Sequence, residues 1–233
     1  MSDEQPAVFD PAAIAERHQR LVERIIDAGG DPAVVKILAV SKALPPDAAV
    51  AAVEAGLLDL GENYAQELVA KAPQVAAALA GRDVQPRWHF IGGLQRNKIN
   101  SLPDVACIHS VDRESLANAI ATRRPGQTVM VQVNIGDEPQ KSGCDLADTP
   151  SLVAAARDSG LDVVGLMGVA RPADDADTLG QFRRLVELAD ELELPERSIG
   201  MSGDLELAVR AGSTMVRVGT ALFGPRPPRS AVS

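Results

Sequence analysis

The chain has 233 residues, of which 45% are hydrophobic and 24% are charged, as expected for a folded globular protein. Its formal net charge of −9 argues against a nucleic-acid partner, because phosphate backbones are bound by basic surfaces. The two cysteines lack CxxC spacing, the polar start is unlike a signal peptide, and no apolar run approaches the ~18 residues of a membrane span. We therefore expect a cytoplasmic protein with reduced cysteines that binds neither nucleic acid nor membrane.

The apolar periodicity changes repeatedly between that of a helix and that of a strand. Residues 11–28 place their large apolar side chains on one helical face, and Gly29-Gly30 ends this first helix. Short apolar strands then alternate with helical segments, the longest of which covers residues 173–193. The predicted strands lie within KILAV (36–40), LLDLGEN (57–63), RWHFIG (87–92), VACIHSV (105–111), TVMVQVNI (128–135), LDVVGLMGV (161–169), RSIGM (197–201) and TMVRVGTALFG (214–224).

This alternation predicts an α/β protein with a parallel sheet. Eight strand–helix units favour a closed (β/α)8 TIM barrel, and an open doubly wound sheet is the alternative. No linker divides the chain, so residues 1–233 are predicted to form a single domain with its core at about 10–226. We expect a flexible tail at 227–233, and a monomer, because a closed barrel needs no partner to complete its core.

The first predicted strand runs directly into Ser41 and Lys42. Barrel sites lie at the C-terminal ends of strands, so the Lys42 amine is expected to point towards the barrel mouth. An amine among apolar neighbours loses part of its preference for the charged form and can form a Schiff base with an aldehyde. The alternative is a structural or salt-bridging lysine. Lys71 is predicted on a helix surface, whereas Lys98 and Lys141 are predicted near the mouth.

Glycine and hydroxyl residues follow the last two strands. Ser202-Gly203 comes after strand seven and Gly219-Thr220 after strand eight. Barrels often bind phosphate at these two strand ends, where exposed backbone N–H groups can donate to its oxygens. Together the two turns predict an anion site.

Arg217 interrupts the apolar run MVRVG. Strand alternation places it on the face opposite Val216 and Val218. A buried arginine stays charged and needs a partner. That partner is either a barrel carboxylate such as Glu62 or a ligand at the mouth.

Six ordered segments resemble the pyridoxal-phosphate homeostasis protein family over about residues 10–226. The segments are AVSKALP, LGENYAQE, WHFIGGLQRNK, VNIGDEPQKSG, GLMGV and IGMSGDLELAVRAGSTMVRVGTALFG. That family is similar to the N-terminal barrel of alanine racemase (fold type III) without its extra β-domain, and it holds pyridoxal 5'-phosphate (PLP). The resemblance implies that Lys42 holds PLP as a reversible Schiff base, that Arg217 faces the pyridine nitrogen and that Asn63 lies near the phenolic side. It implies a phosphate site made of Ser202, Gly219 and Thr220.

An arginine at the pyridine nitrogen would leave that nitrogen unprotonated and weaken PLP as an electron sink. Racemisation would also need a second base opposite Lys42, and neither Tyr64 nor His89 is placed there by the sequence. His89 is predicted to be a core or hydrogen-bonded histidine. We therefore expect a PLP-binding homeostasis protein, with no catalytic or metal-binding residues, that limits the free aldehyde and passes it to apo PLP-dependent enzymes.

Two other functions remain open at this point. One is a single-domain PLP-dependent amino-acid racemase, which would need the second base. The other is a PLP-independent barrel enzyme that acts on a sugar phosphate through a Schiff base on Lys42. Glu138 and Lys141, in the loop DEPQKSG, have no predicted role beyond an ion pair in a solvated loop.

Overall fold

The structure is a computed structural model that describes residues 9–138 and 142–225. Within these residues, eight parallel strands pair in chain order and close into a barrel, with the last strand against the first. The strands are β1 (Lys36–Val40), β2 (Asp59–Glu62), β3 (Arg87–Phe90), β4 (Cys107–Val111), β5 (Thr128–Val133), β6 (Asp162–Gly168), β7 (Glu196–Ser198) and β8 (Met215–Val218). The predicted (β/α)8 barrel is confirmed, and the open sheet is wrong.

Helices surround the barrel. The first lies before β1, and its apolar residues Ile14, Leu21 and Ile25 are buried. No described helix combines the length and apolarity that crossing a membrane would require. The predicted tail at 227–233 and Lys141 lie outside the described residues. The α-helices are α1 (Pro11–Asp27), α2 (Pro46–Glu54), α3 (Ala65–Ala78), α4 (Glu114–Arg123), α5 (Thr149–Asp158), α6 (Asp175–Glu191), α7 (Leu205–Ala211) and α8 (Thr220–Phe223), and short 3-10 helices cover Arg96–Ser101 and Leu146–Asp148.

Strand alternation sorts the buried side chains into two layers. The outer layer lies between strands and helices and contains Val216, Val218 and the single tryptophan, Trp88. A smaller apolar cluster is separate from this outer layer and consists of Leu38, Cys107, Met130, Met167 and Met215. Arg217 is paired in register with Leu38 and is also buried, as the sequence predicts. The interior of the barrel is therefore partly polar.

Candidate functional site

A cavity of about 540 Å³ opens at the mouth formed by the C-terminal ends of the strands. Its lining includes every site residue predicted from the sequence, namely Lys42, Asn63, Ser202, Arg217, Gly219 and Thr220. Sequence reasoning missed Gln132 on β5 and Met167 on β6, which also line the cavity. Both could have been found from strand alternation, since each lies near the carboxyl end of a predicted strand.

The turn that carries Lys42 is fixed by a buried ion pair beneath it. The Lys71 ammonium donates to the backbone carbonyl of Ser41 at 2.8 Å and to Oε1 of Glu62 at 2.5 Å. The Ser41 hydroxyl donates to the same Glu62 oxygen at 2.7 Å. Lys71 is only 3% exposed, so its predicted surface position is wrong. The apolar face of α3 explains this, because Leu68 and Ala72 are buried on either side of Lys71.

Lys71 and Ser41 stabilise the charged form of Glu62, but burial of this carboxylate still costs free energy. Burial raises the pKa of the Glu62 carboxyl, and the Lys71 charge and hydrogen bonds from Lys71 and Ser41 offset part of that rise. Ala43, on the other side of Lys42, adopts a left-handed φ of 58° and donates its N–H to Glu67 at 3.0 Å. The backbone is thus held on both sides of Lys42.

Arg217 lies inside the barrel, and its side chain extends to the cavity at the C-terminal ends of the strands. Burial lowers its pKa to about 10, so it stays protonated near neutral pH. Its Nη1 donates to the carbonyl and, at 3.0 Å, to the hydroxyl of Ser198. Its Nη2 donates to the Gly168 carbonyl at 2.8 Å. The suggested ion pair with Glu62 is wrong, because Glu62 is bonded to Lys71 and Ser41.

Asn63 directly follows β2 and is pressed against the turn after β3. A Cβ atom on Gly92 would lie 1.9 Å from the Asn63 carbonyl oxygen, so only glycine fits there. The side-chain Oδ1 of Asn63 is buried and has no hydrogen-bond partner among the described residues. A cavity-lining amide with an unsatisfied atom has the character of a ligand contact.

The turn after β7 is held by α1. Arg24 donates to the Ser202 carbonyl at 3.1 Å and to the carboxylate of Glu206 at 2.6 and 3.0 Å. A Cβ on Gly203 would meet nothing within 4 Å, so the cavity is open at this point. Next to it, Gly219 and Thr220 begin α8. The two predicted anion-binding turns therefore line one cavity.

The other candidate bases lie elsewhere. His89 is buried, and its ring nitrogens face His109 at 2.9 Å and Asp59 at 3.0 Å, which confirms a hydrogen-bonded core histidine. Tyr64 is 49% exposed and lines a neighbouring hollow of about 200 Å³ with Lys98. Neither side chain lines the main cavity.

Comparison with known proteins identifies the family. Residues 9–227 match the family described as alanine racemase, N-terminal domain. The pyridoxal phosphate homeostasis protein of Pseudomonas aeruginosa is 41% identical, with 92% of this chain and 96% of that protein covered. The protein of that name from Escherichia coli K12 is 35% identical, with 91% and 95% covered. The chain belongs to the pyridoxal phosphate homeostasis protein family.

Solved structures agree with this family assignment. PipY of Synechococcus elongatus, determined with PLP bound, is 32% identical and has a TM-score of 0.77, with 91% of this chain and 100% of that chain covered. Alanine racemase from Corynebacterium glutamicum is 19% identical with a TM-score of 0.68, and this chain covers 63% of it, so that likeness is one of fold. The resemblance to the pyridoxal phosphate homeostasis family drawn from six sequence segments is confirmed.

Proposed function

We propose that this protein takes part in PLP homeostasis by holding PLP as a reversible Schiff base on Lys42. The observation that carries the proposal is the convergence of Lys42, Arg217 and the turns after β7 and β8 on one cavity of about 540 Å³. Membership of the pyridoxal phosphate homeostasis family and the PLP-bound PipY structure support it. The names of these relatives describe homeostasis rather than catalysis.

Each side chain has a role that follows from its chemistry. Lys42 would hold PLP through a C=N bond between its nitrogen and the aldehyde carbon, formed with release of the aldehyde oxygen as water. Hydrolysis reverses this step and returns the aldehyde. Ser202, Gly219 and Thr220 supply hydroxyl and backbone N–H donors for the phosphate. Asn63 would lie near the phenolic oxygen, to which its amide NH2 group can donate.

Arg217 faces the pyridine nitrogen in this proposal. PLP supplies an electron sink whose strength depends on protonation of that nitrogen. A guanidinium only donates hydrogen bonds, so it keeps the nitrogen unprotonated and the sink weak. Of the described residues that line the cavity, Lys42 alone carries an amine or imidazole. A racemase would need a second such base on the opposite face.

The test is spectroscopic and covalent. PLP is added to the purified protein, the visible spectrum is recorded, the adduct is reduced with borohydride and the modified peptide is mapped. We expect a pyridoxyl group on Lys42, none in Lys42→Arg and an unchanged yield in Lys98→Ala, because Lys98 lines the neighbouring hollow and not the main cavity. An adduct that persists in Lys42→Arg contradicts the proposal.

Two further assays separate the alternatives. A single enantiomer of alanine that loses its optical activity in the presence of the loaded protein would indicate a racemase. A protein that forms no adduct but acts on a sugar phosphate would indicate the PLP-independent enzyme. The proposal also includes a monomeric state, a cytoplasmic location and transfer of PLP to apo enzymes. Transfer is measured as the recovered activity of an added apo enzyme.

A further inference from the structure

A row of polar side chains, all buried except the half-buried Asp59, crosses the interior of the barrel and ends at Arg217. The Ser198 hydroxyl is 3.0 Å from Nη1 of Arg217 and 3.2 Å from Nδ1 of His109. Nε2 of His109 is 2.9 Å from Nδ1 of His89, and Nε2 of His89 is 3.0 Å from Oδ1 of Asp59. Asp59 is the first residue of β2, so the row runs from the entrance end of the barrel to the ligand cavity.

The chemistry of the two ends is fixed. Burial acts to raise the pKa of Asp59, but hydrogen bonds from His89 and Arg87 prevail and hold it well below its usual range. Asp59 is therefore a carboxylate that only accepts, so Nε2 of His89 carries a hydrogen. At the other end the Arg217 guanidinium only donates.

The middle of the row then has one consistent hydrogen-bond order. Burial, together with the nearby charge of Arg217, lowers the pKa of His109 well below its ordinary value, so His109 is neutral and has a single N–H. If that hydrogen is on Nε2, it donates to His89, and Nδ1 accepts from the Ser198 hydroxyl. If it were on Nδ1, Arg217 and His109 would both donate to Ser198, and the hydroxyl hydrogen would have no acceptor among the described residues.

We propose that Ser198, His109 and His89 form a one-way hydrogen-bond chain, anchored on Asp59, that positions the Arg217 guanidinium at the ligand cavity. Every donor in this order has an acceptor, and a fully satisfied buried network is rigid. The three residues are positioning residues that act through Arg217. Their effect on PLP rests on the proposed function, whereas the hydrogen-bond order itself does not.

A metal site is the competing interpretation. The sulfur of Cys107 and ring nitrogens of both histidines lie within 4.8 Å of one another. However, the two facing nitrogens already share a hydrogen bond of 2.9 Å. Burial also raises the pKa of the Cys107 thiol, and it is the thiolate that binds metals. The geometry therefore favours the hydrogen-bond chain.

The first experiment determines which ring nitrogens of His89 and His109 are protonated in the protein without PLP. Nitrogen-15 NMR of the histidine side chains in the ligand-free protein is expected to show His89 and His109 both protonated on Nε2 only. A His109 protonated on Nδ1, or on both nitrogens, would overturn the proposed order. Spectra are repeated with one equivalent of Zn²⁺, and a stoichiometric shift of both histidines would establish the metal site instead.

The second experiment reads the effect on Arg217. Ser198→Ala is expected to weaken PLP binding about tenfold, the usual scale for a lost hydrogen bond to a buried charged group, and to shift the absorption of bound PLP. The matched control is Ser110→Ala, since Ser110 is buried next to His109 and its hydroxyl has no partner among the described residues. Equal spectra and affinities for the two variants would refute the positioning role.

A second variant, at the Asp59 end of the hydrogen-bond chain, keeps the proposal testable if Ser198→Ala fails to fold. Asp59→Asn lies outside the cavity lining and removes the anchoring charge while keeping the side-chain shape. It is expected to change the NMR signal of His89 and to shift the spectrum of bound PLP in the same direction as Ser198→Ala. An unchanged PLP spectrum in Asp59→Asn would count against the chain. If the wild-type protein fails to bind PLP, the proposed function fails while the NMR result still decides the hydrogen-bond order.

Discussion

Gly92 and Gly93 are neighbours that both line the cavity, yet their surroundings differ. A Cβ atom on Gly92 would collide with the backbone of Asn63, whereas a Cβ on Gly93 would meet nothing within 4 Å. Backbone atoms cannot move aside as the end of a flexible side chain can. The close contact at Gly92 therefore fixes the distance between the turns that follow β2 and β3.

Gly92→Ala should accordingly be destabilising, by about 2 kcal/mol or more, because overpacking against backbone forces both turns to shift. It should also weaken PLP binding by displacing Asn63. Gly93→Ala is the matched control for stability and should leave the free energy of unfolding within experimental error, because its added methyl group meets no protein atom within 4 Å. Thermal unfolding and PLP titration of the two variants test this, and equal melting temperatures would contradict it.

Lys71→Met provides a test of the buried ion pair. Removing one partner leaves the Glu62 charge uncompensated, which costs about 3–5 kcal/mol for a buried pair. The double variant Lys71→Met/Glu62→Leu should recover most of this loss, because no buried charge remains. Urea unfolding of the single and double variants measures both effects, and additive losses would contradict the expected coupling.

The same pair predicts a pH dependence. A carboxyl whose folded pKa lies above its unfolded value binds more protons when folded, so its contribution to stability is lost as the pH rises through the folded pKa. Without Lys71 the rise in the Glu62 pKa should be larger. The destabilisation by Lys71→Met should therefore be smaller at low pH, where Glu62 is neutral, than near neutral pH. Urea unfolding across this pH range would show it.

At the scale of elements, β2 and β3 are joined by a pair of charged side chains at their N-terminal ends. Asp59 and Arg87 are register partners, and their side chains meet at 2.6 and 2.8 Å. His89, two residues along the same face of β3, adds the third contact to Asp59. These contacts stabilise the carboxylate form of Asp59 and tie the two strands together.

Asp59→Asn should lower the free energy of unfolding at pH 7 by about 1–2 kcal/mol. A carboxyl with a lowered folded pKa contributes stability above its unfolded pKa, and this contribution disappears as the pH falls through the folded pKa. The difference between wild type and variant should therefore shrink below about pH 4. Unfolding curves between pH 7 and pH 2 test this sign, and a difference that grows on acidification would contradict it.

The features that could be predicted are those marked by a local pattern along the sequence. Each apolar run gave a strand, and the residue just after a strand could be assigned to the mouth, which located Lys42 and Thr220. Partners across the barrel could not be read in this way. Ser198 and His109 are 89 residues apart, and only the closed barrel brings them together. Lys71 had a signal in the apolar face of α3, but charge alone favoured the surface.

At the scale of the whole molecule, the barrel seams differ in strength. Six registered pairs join β5 to β6, whereas one pair joins β7 to β8. Local opening is expected where the fewest strand residues are paired. The weak seam adjoins the turns that carry Ser202 and Thr220, so opening there would loosen the proposed phosphate site.

Native-state hydrogen exchange should reflect this difference. Backbone amides of β7 are expected to exchange faster than those of β5, and saturating PLP should slow the former more than the latter. Mass spectrometry of peptides covering the two strands gives the comparison, with the Lys42→Arg variant as a control for covalent attachment. Uniform protection of both strands would contradict the expected opening.

Burial of the single tryptophan in the outer layer has a practical consequence. All indole fluorescence of the protein comes from Trp88 on β3, so its emission should be blue-shifted in the native state and move to longer wavelength on unfolding. A bound chromophore that absorbs in the near ultraviolet would quench this emission by resonance energy transfer. The fluorescence of Trp88 can thus report both unfolding of the barrel and the binding and release of PLP.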